Sequence, residues 1–245
     1  MDIIYGINPI IESLRDEATR VRKIIIARGK TGAELEIIAD LAVRHDIPIL
    51  YEDRSVINGL AEGGAHQGIV ALCLPYKYRG VDEVIANHHG PMKNSLILIL
   101  DNITDPHNLG SIIRTAHCFG VNGVIIPKNR AVGVTPAVVK ASAGAANHTL
   151  VAMVTNLSET IKYLKGKGFW IYGAEGRLGR DIAASQDMGD AALIMGSEGS
   201  GIRPLVRRSC DFLVSVPLYG KIDSLNVSVA AGILLYEILA KSKRG

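Results

Sequence analysis

The chain has 245 residues, 48% hydrophobic and 21% charged, which excludes disorder and suits one large or two modest domains at roughly 150 residues each. Twenty-seven Lys and Arg against 24 Asp and Glu leave a net charge of only +3, so a uniformly basic surface is excluded and a nucleic-acid partner must meet a local patch. Aromatic residues make up 5%, which removes the stacked platform used by many single-strand binders.

Cys73, Cys118 and Cys210 are odd in number and far apart, with no CxxC pair and no histidine at ligand spacing. Neither a disulfide framework nor a metal site is signalled, and free thiols in a reducing compartment are expected. The opening MDIIYGINPI has no basic region followed by a long apolar run, and no stretch approaches the ~18 residues of a membrane span. A cytoplasmic protein is expected.

In chain order, Asn8 and Pro9 predict a helix start, with Ile10, Ile11 and Leu14 as its apolar face. KIIIA (23–27) predicts a strand, residues 33–45 a helix, and PILY (48–51) and GIVALCL (68–74) two further strands. Residues 1–75 therefore form a small α/β domain. The stretch from Pro75 to Ser95 turns polar, with two glycines, two prolines and mixed charge, and residues 76–94 predict a linker.

Residues 95–245 alternate apolar runs with helical patterns. Strands are predicted at SLILILD (95–101), GVIIP (123–127), 150–154, FWIYGA (169–174), ALIMG (192–196) and FLVSVPL (212–218). Helices are predicted over 106–119, from Thr135-Pro136, over 157–166, near 203–209 and over 224–242. Continuous apolar strands separated by helices imply a mostly parallel sheet covered on both faces, whose ligands bind beyond the carboxyl ends of the strands.

Three such ends carry unusual loops: DNITDPHN, GSEGSG and PLYGKIDSLN. In the first, Asp105 and Pro106 open a helix, placing Asn108 in its first turn and Arg114 off the face shared by Leu109, Ile112, Ile113, Ala116 and Phe119. The second sets Glu198 among glycines that let backbone approach a ligand, but lacks the GxGxxG spacing of a dinucleotide site. In the third, Ser224, Asn226 and Ser228 run into an apolar helix and are expected in its opening turn.

NLGSIIRTA, IMGSEGSGI and VPLYGKIDSLNVSVAAGILLYE, in that order, resemble the three motifs of the SpoU/TrmH family of RNA ribose 2′-O-methyltransferases. YGINPIIESL and AHQGIVA resemble the small ribosomal protein L30e-like domain of members acting on a guanosine of large-subunit ribosomal RNA. The resemblance implies a C-terminal α/β knot (the SPOUT trefoil knot), a homodimer and S-adenosylmethionine as cofactor. By position it implies Asn108, Arg114, Glu198, Ser224 and Asn226 as catalytic or substrate-contacting residues, and Gly196, Val216, Leu218 and Leu225 around the cofactor. Arg114 is expected to bind a phosphate and stabilise alkoxide charge rather than abstract a proton, because guanidinium stays charged. The basic run Arg20, Arg22 and Lys23 is the expected RNA contact of the first domain. Transfer-RNA methylation, a non-catalytic RNA-binding role and a nicotinamide-dependent oxidoreductase are the competing readings.

Overall fold

The structure, a computed structural model, describes residues 1–16, 18–88, 94–176, 180–181 and 189–242. The chain divides into two compact units, Met1–Lys77 and Tyr78–Gly245.

The first unit holds β1 (Asp2–Tyr5), α1 (Ile7–Asp16), β2 (Val21–Ala27), α2 (Ala33–Arg44), β3 (Ile49–Glu52), α3 (Arg54–Leu60) and β4 (Ile69–Cys73). Its sheet runs β1-β4-β2-β3, antiparallel except for the β2–β3 pair. After Lys23, residues 24–27 are continuously apolar because β2 is covered on both faces: Ile24 and Ile26 join Ile10, Leu14 and Ile38, while Ile25 joins Ile57 and Val70. The helix expected from Asn8 begins at Ile7, because Gly6 at φ +94 turns the chain out of β1 and its carbonyl accepts from Ile10 N.

The second unit holds α4 (Val81–Ala86), β5 (Leu96–Leu100), α5 (Pro106–Cys118), β6 (Gly123–Pro127), α6 (Pro136–Ala141), β7 (Val151–Val154) and α7 (Leu157–Gly166), followed by β8 (Trp170–Ala174), β9 (Arg180–Asp181), β10 (Ala191–Met195), α8 (Pro204–Arg208), β11 (Phe212–Ser215) and α9 (Val227–Ser242). The seven strands run β7-β6-β5-β10-β8-β11-β9, and every pair is parallel. Because β5, β6 and β10 are buried at every residue, their sequences show no alternation. Successive crossovers from β5 move outward to β6 and β7, whereas β10 returns to its other side. That reversal opens a crevice at the carboxyl ends of β5 and β10.

The stretch expected as a linker contains α4. Gly80 N donates to Glu83 Oε1 at 2.9 Å, and Val84 is fully buried in the core of the second unit. Six residues do not hold a helix on their own; burying Val84, roughly 1.5–3 kcal/mol, and the cap at Glu83 do so here. Masked by its polar exposed face, the single apolar pair at Val84 and Ile85 gave no periodic signal.

On α5, Asp105 accepts from His107 N at 2.9 Å. Gly110 answers a packing demand: a Cβ there would stand 2.5 Å from Ala141 Cβ and 2.7 Å from Val138 O, so α6 lies directly against the α5 backbone. Elsewhere Cys210 packs over Gly173, and burial pushes its thiol up to about 11. No helix among the described residues is long and apolar enough to cross a membrane.

Candidate active site

All three unusual loops meet at the crevice. Glu198 Oε1 accepts from Asn108 Nδ2 at 3.1 Å, from Val227 N at 3.2 Å, and from Asn226 Nδ2. Asn226 Nδ2 also donates to Asn108 Oδ1 at 2.9 Å. A carboxylate accepting the first N–H of α9 sits at the positive end of that helix, where negative charge is stabilised. The asparagine side chains therefore have a fixed orientation.

Asn226 is the cap of α9: its Oδ1 accepts from Ser228 N at 2.9 Å and Val229 N at 3.4 Å. The last helix thus starts at Val227, three residues after the expected 224, since a capping asparagine leaves the helical backbone behind it. Ser224 consequently lies in the loop before the helix, not in its opening turn, and lines the cleft.

The cleft beside this network has a volume of about 180 Å³ and is lined by Gly196, Glu198, Val216, Leu218, Ser224 and Leu225. At Gly196 the loop doubles back: Ser197 and Gly201 exchange backbone hydrogen bonds at 3.2 and 2.9 Å. A Cβ on Gly196 would fall 2.1 Å from Gly201 C and 2.3 Å from Ile202 N. The glycine is required by its own loop.

Arg114 is not part of the network. It is exposed, and its side chain makes no hydrogen bond or ion pair among the described residues. Ideal helix geometry sets it about 9 Å along α5 from Asn108 and about 120° around it. Arg20 is committed to its own unit: it pairs with Asp2 at 3.1 Å, and its Nε and Nη2 donate to Leu74 O at 3.3 and 3.1 Å. Arg22 is exposed at an irregularity of β2, with Lys23 half-buried beside it.

Two pairs escaped the sequence reading. Asp101, with no exposed side-chain surface, accepts from Arg203 Nε at 2.7 Å and Arg203 N at 2.9 Å. This ties the end of β5 to the loop carrying Glu198. Arg207 Nε reaches both oxygens of Glu175 at 2.9 and 2.8 Å, and both residues line the cleft. The only available signal was position, Asp101 as the last residue of one predicted strand and Glu175 directly after another. Among the described residues no group of three or more His, Cys, Asp or Glu is arranged to hold a metal ion.

The model of the SpoU rRNA methylase family matches residues 95–236, and that for RNA 2′-O ribose methyltransferase substrate binding matches residues 3–79. The 23S rRNA (guanosine-2′-O-)-methyltransferase RlmB of Pseudomonas putida is 38% identical over 240 residues, 97% of this chain and 95% of that protein. A Bacillus subtilis protein, YacO, named for the TrmH family of tRNA/rRNA methyltransferases, is 40% identical over 240 residues, 98% of this chain and 96% of its own. In fold, the chain resembles the SpoU methyltransferase AviRb of Streptomyces viridochromogenes, solved with AdoMet: TM-score 0.73 at 23% identity, covering 99% of this chain and 91% of that one.

Proposed function

From the premise that the chain belongs to the SpoU rRNA methylase family, we propose that it methylates a ribose 2′-hydroxyl, of a guanosine in large-subunit ribosomal RNA, using S-adenosylmethionine. The observation that carries this reading is the convergence of Asn108, Glu198 and Asn226 at the lip of an apolar cleft.

The cleft suits the cofactor. Val216, Leu218 and Leu225 offer aliphatic walls to a purine, the backbone around Gly196 offers hydrogen-bonding groups, and the carboxylate of Glu198 complements positive charge. When bound, S-adenosylmethionine supplies a methyl group on a sulfonium centre, whose leaving group is a neutral thioether.

Counting hydrogen bonds assigns the roles. Asn226 spends both amide hydrogens on Asn108 and Glu198 and its oxygen on α9, so it positions the others. Asn108 keeps one amide hydrogen and Glu198 keeps Oε2 without a partner among the described residues. These two groups are available to hold a ribose hydroxyl in line with the methyl. Ser224 lines the same wall and adds a hydroxyl for the sugar. Arg114, permanently charged, binds the adjacent phosphate and stabilises negative charge developing on the oxygen.

The exposure of Arg114 is consistent with a homodimer. Helix α9 is rich in apolar residues, yet Val229, Ile233 and Tyr236 are 51%, 37% and 58% exposed in one chain. They form an i, i+4, i+7 stripe beside α5, the pattern of a helix with a second face to cover. A second copy seated there brings Arg114 into the seam between two clefts. The same reading includes the trefoil knot, with the C-terminal segment threading a loop to deliver Asn226, and a cytoplasmic site of action.

Incubation with methyl-labelled S-adenosylmethionine and purified RNA, followed by mass-spectrometric mapping of modified riboses, tests the proposal. A single modified guanosine in large-subunit ribosomal RNA is the expected result. Label in transfer RNA alone would favour the second reading, which the name of the B. subtilis relative supports. Binding of NAD in place of S-adenosylmethionine would end both.

A further inference from the structure

Building on the methyltransferase reading, we infer that the turn made by Lys128, Asn129 and Arg130 is a phosphate grip that holds the RNA backbone next to the reacting nucleotide. Strand β6 is buried throughout, and the next three residues are all exposed. A fully buried strand thus ends abruptly in two cations and an amide. Neither Lys128 nor Arg130 makes a hydrogen bond or ion pair through its side chain among the described residues.

Strand register fixes where the turn lies. Ile97 pairs with Gly123 and Ile99 with Ile125, so the β5–β6 register carried forward sets Asn102 opposite Lys128. On the other side Leu100 pairs with Met195, which sets Asp101 opposite Gly196. Lys128 therefore emerges two strands from the glycine at the cleft, about 10 Å at ~4.8 Å per strand. The residues between them, 102–105, form the loop that leads into α5 and Asn108.

The turn is also held in place. Lys128 N donates to Val154 O at 2.8 Å, Val132 N to Ile103 O at 2.9 Å, and Val134 N to Tyr78 Oη at 2.9 Å. Arg130 sits at φ +60, in the left-handed region that few non-glycine residues adopt. Anchored backbone with unpaired cations at its tip is suited to a polyanion whose charges repeat at short intervals, and RNA entering the cleft is that polyanion.

The test compares the full-length protein with a Lys128→Ala/Arg130→Ala double variant. Binding of purified large-subunit ribosomal RNA is followed by fluorescence anisotropy across a salt series, without cofactor. RNA affinity is expected to fall roughly tenfold, and the salt slope to shrink by about 0.7 for each single-strand phosphate that the variant no longer neutralises. S-adenosylmethionine affinity by calorimetry should stay within twofold, and in the methyl-transfer assay KM for RNA should rise with kcat nearly constant. Charge reversal, Lys128→Glu/Arg130→Glu, should deepen the loss. Unchanged affinity and slope overturn the inference, as does an equal loss of S-adenosylmethionine binding, which would mark the turn as structural. A wild-type protein that binds no S-adenosylmethionine sinks the parent reading, while the anisotropy comparison still decides the grip.

Discussion

Asn226 donates to Asn108 across 118 residues of sequence, and both side chains end on the same oxygen of Glu198. Three loops are thereby fixed by one carboxylate. Glu198→Ala should lower kcat for methyl transfer by about 10²-fold, the cost of misplacing a reacting group by about an ångström. Glu198→Gln keeps an acceptor and should lose less. A Glu198→Ala enzyme with wild-type kcat would show that the network is ornamental to the chemistry.

Replacing Asn226 separates capping from positioning. Asn226→Asp retains the cap oxygen but sets a second carboxylate against Glu198, whereas Asn226→Ser retains the cap alone. Asn226→Ser should cost less than about 1 kcal/mol of stability in urea unfolding, yet lower methyl transfer at least tenfold. Asn226→Asp should lower it as much, because it removes both amide hydrogens that Asn108 and Glu198 accept.

For Arg114, alanine should reduce kcat by about 10²- to 10³-fold, the scale of one lost oxyanion donor, while calorimetry finds S-adenosylmethionine binding unchanged. Arg114→Lys should retain part of the rate, and neither variant should introduce a new inflection in the pH–rate profile between pH 6 and about 10. A rate that follows a depressed arginine titration would overturn the electrostatic role.

Ile233→Glu places a charge in the middle of the exposed stripe on α9. Sedimentation velocity should report a dimer for the wild type and a monomer for the variant. Far-ultraviolet dichroism should be alike for both, since Ile233 is outside the core of its own chain. A variant that stays dimeric rules the stripe out as the seam.

Gly110→Ala tests the packing of α6 on α5. The added methyl meets Ala141 Cβ and Val138 O, the second a backbone atom that cannot rotate away. A loss of about 1–3 kcal/mol in urea unfolding is expected, in the opposite direction to the usual gain from replacing glycine with alanine inside a helix.

Much of this architecture was legible in the sequence. β6 was read at its observed limits, and Asp105-Pro106 and Thr135-Pro136 marked two helix starts through their capping chemistry. β1 was missed because Asp2–Tyr5 is a short edge strand with only Ile4 fully buried, too little for a periodic signal. The helix at Val81 was hidden by its shortness, and the start of α9 was set too early because Ser224 and Asn226 run directly into the apolar segment and read as its opening turn. Arg20 looked like a solvent-facing cation in a basic run; only the fold shows Asp2 and Leu74 closing on it. The motif residues Asn108, Glu198 and Asn226 were legible as types, but their shared oxygen was not, because long-range pairing leaves no trace in local spacing.

Asp101 is sealed from water and grips Arg203 through both carboxylate oxygens. Through it, the strand leading into α5 and the loop carrying Glu198 become one mechanical piece. Removing the Asp101 carboxylate would strip Arg203 of two hydrogen bonds and release both segments from each other in a single step.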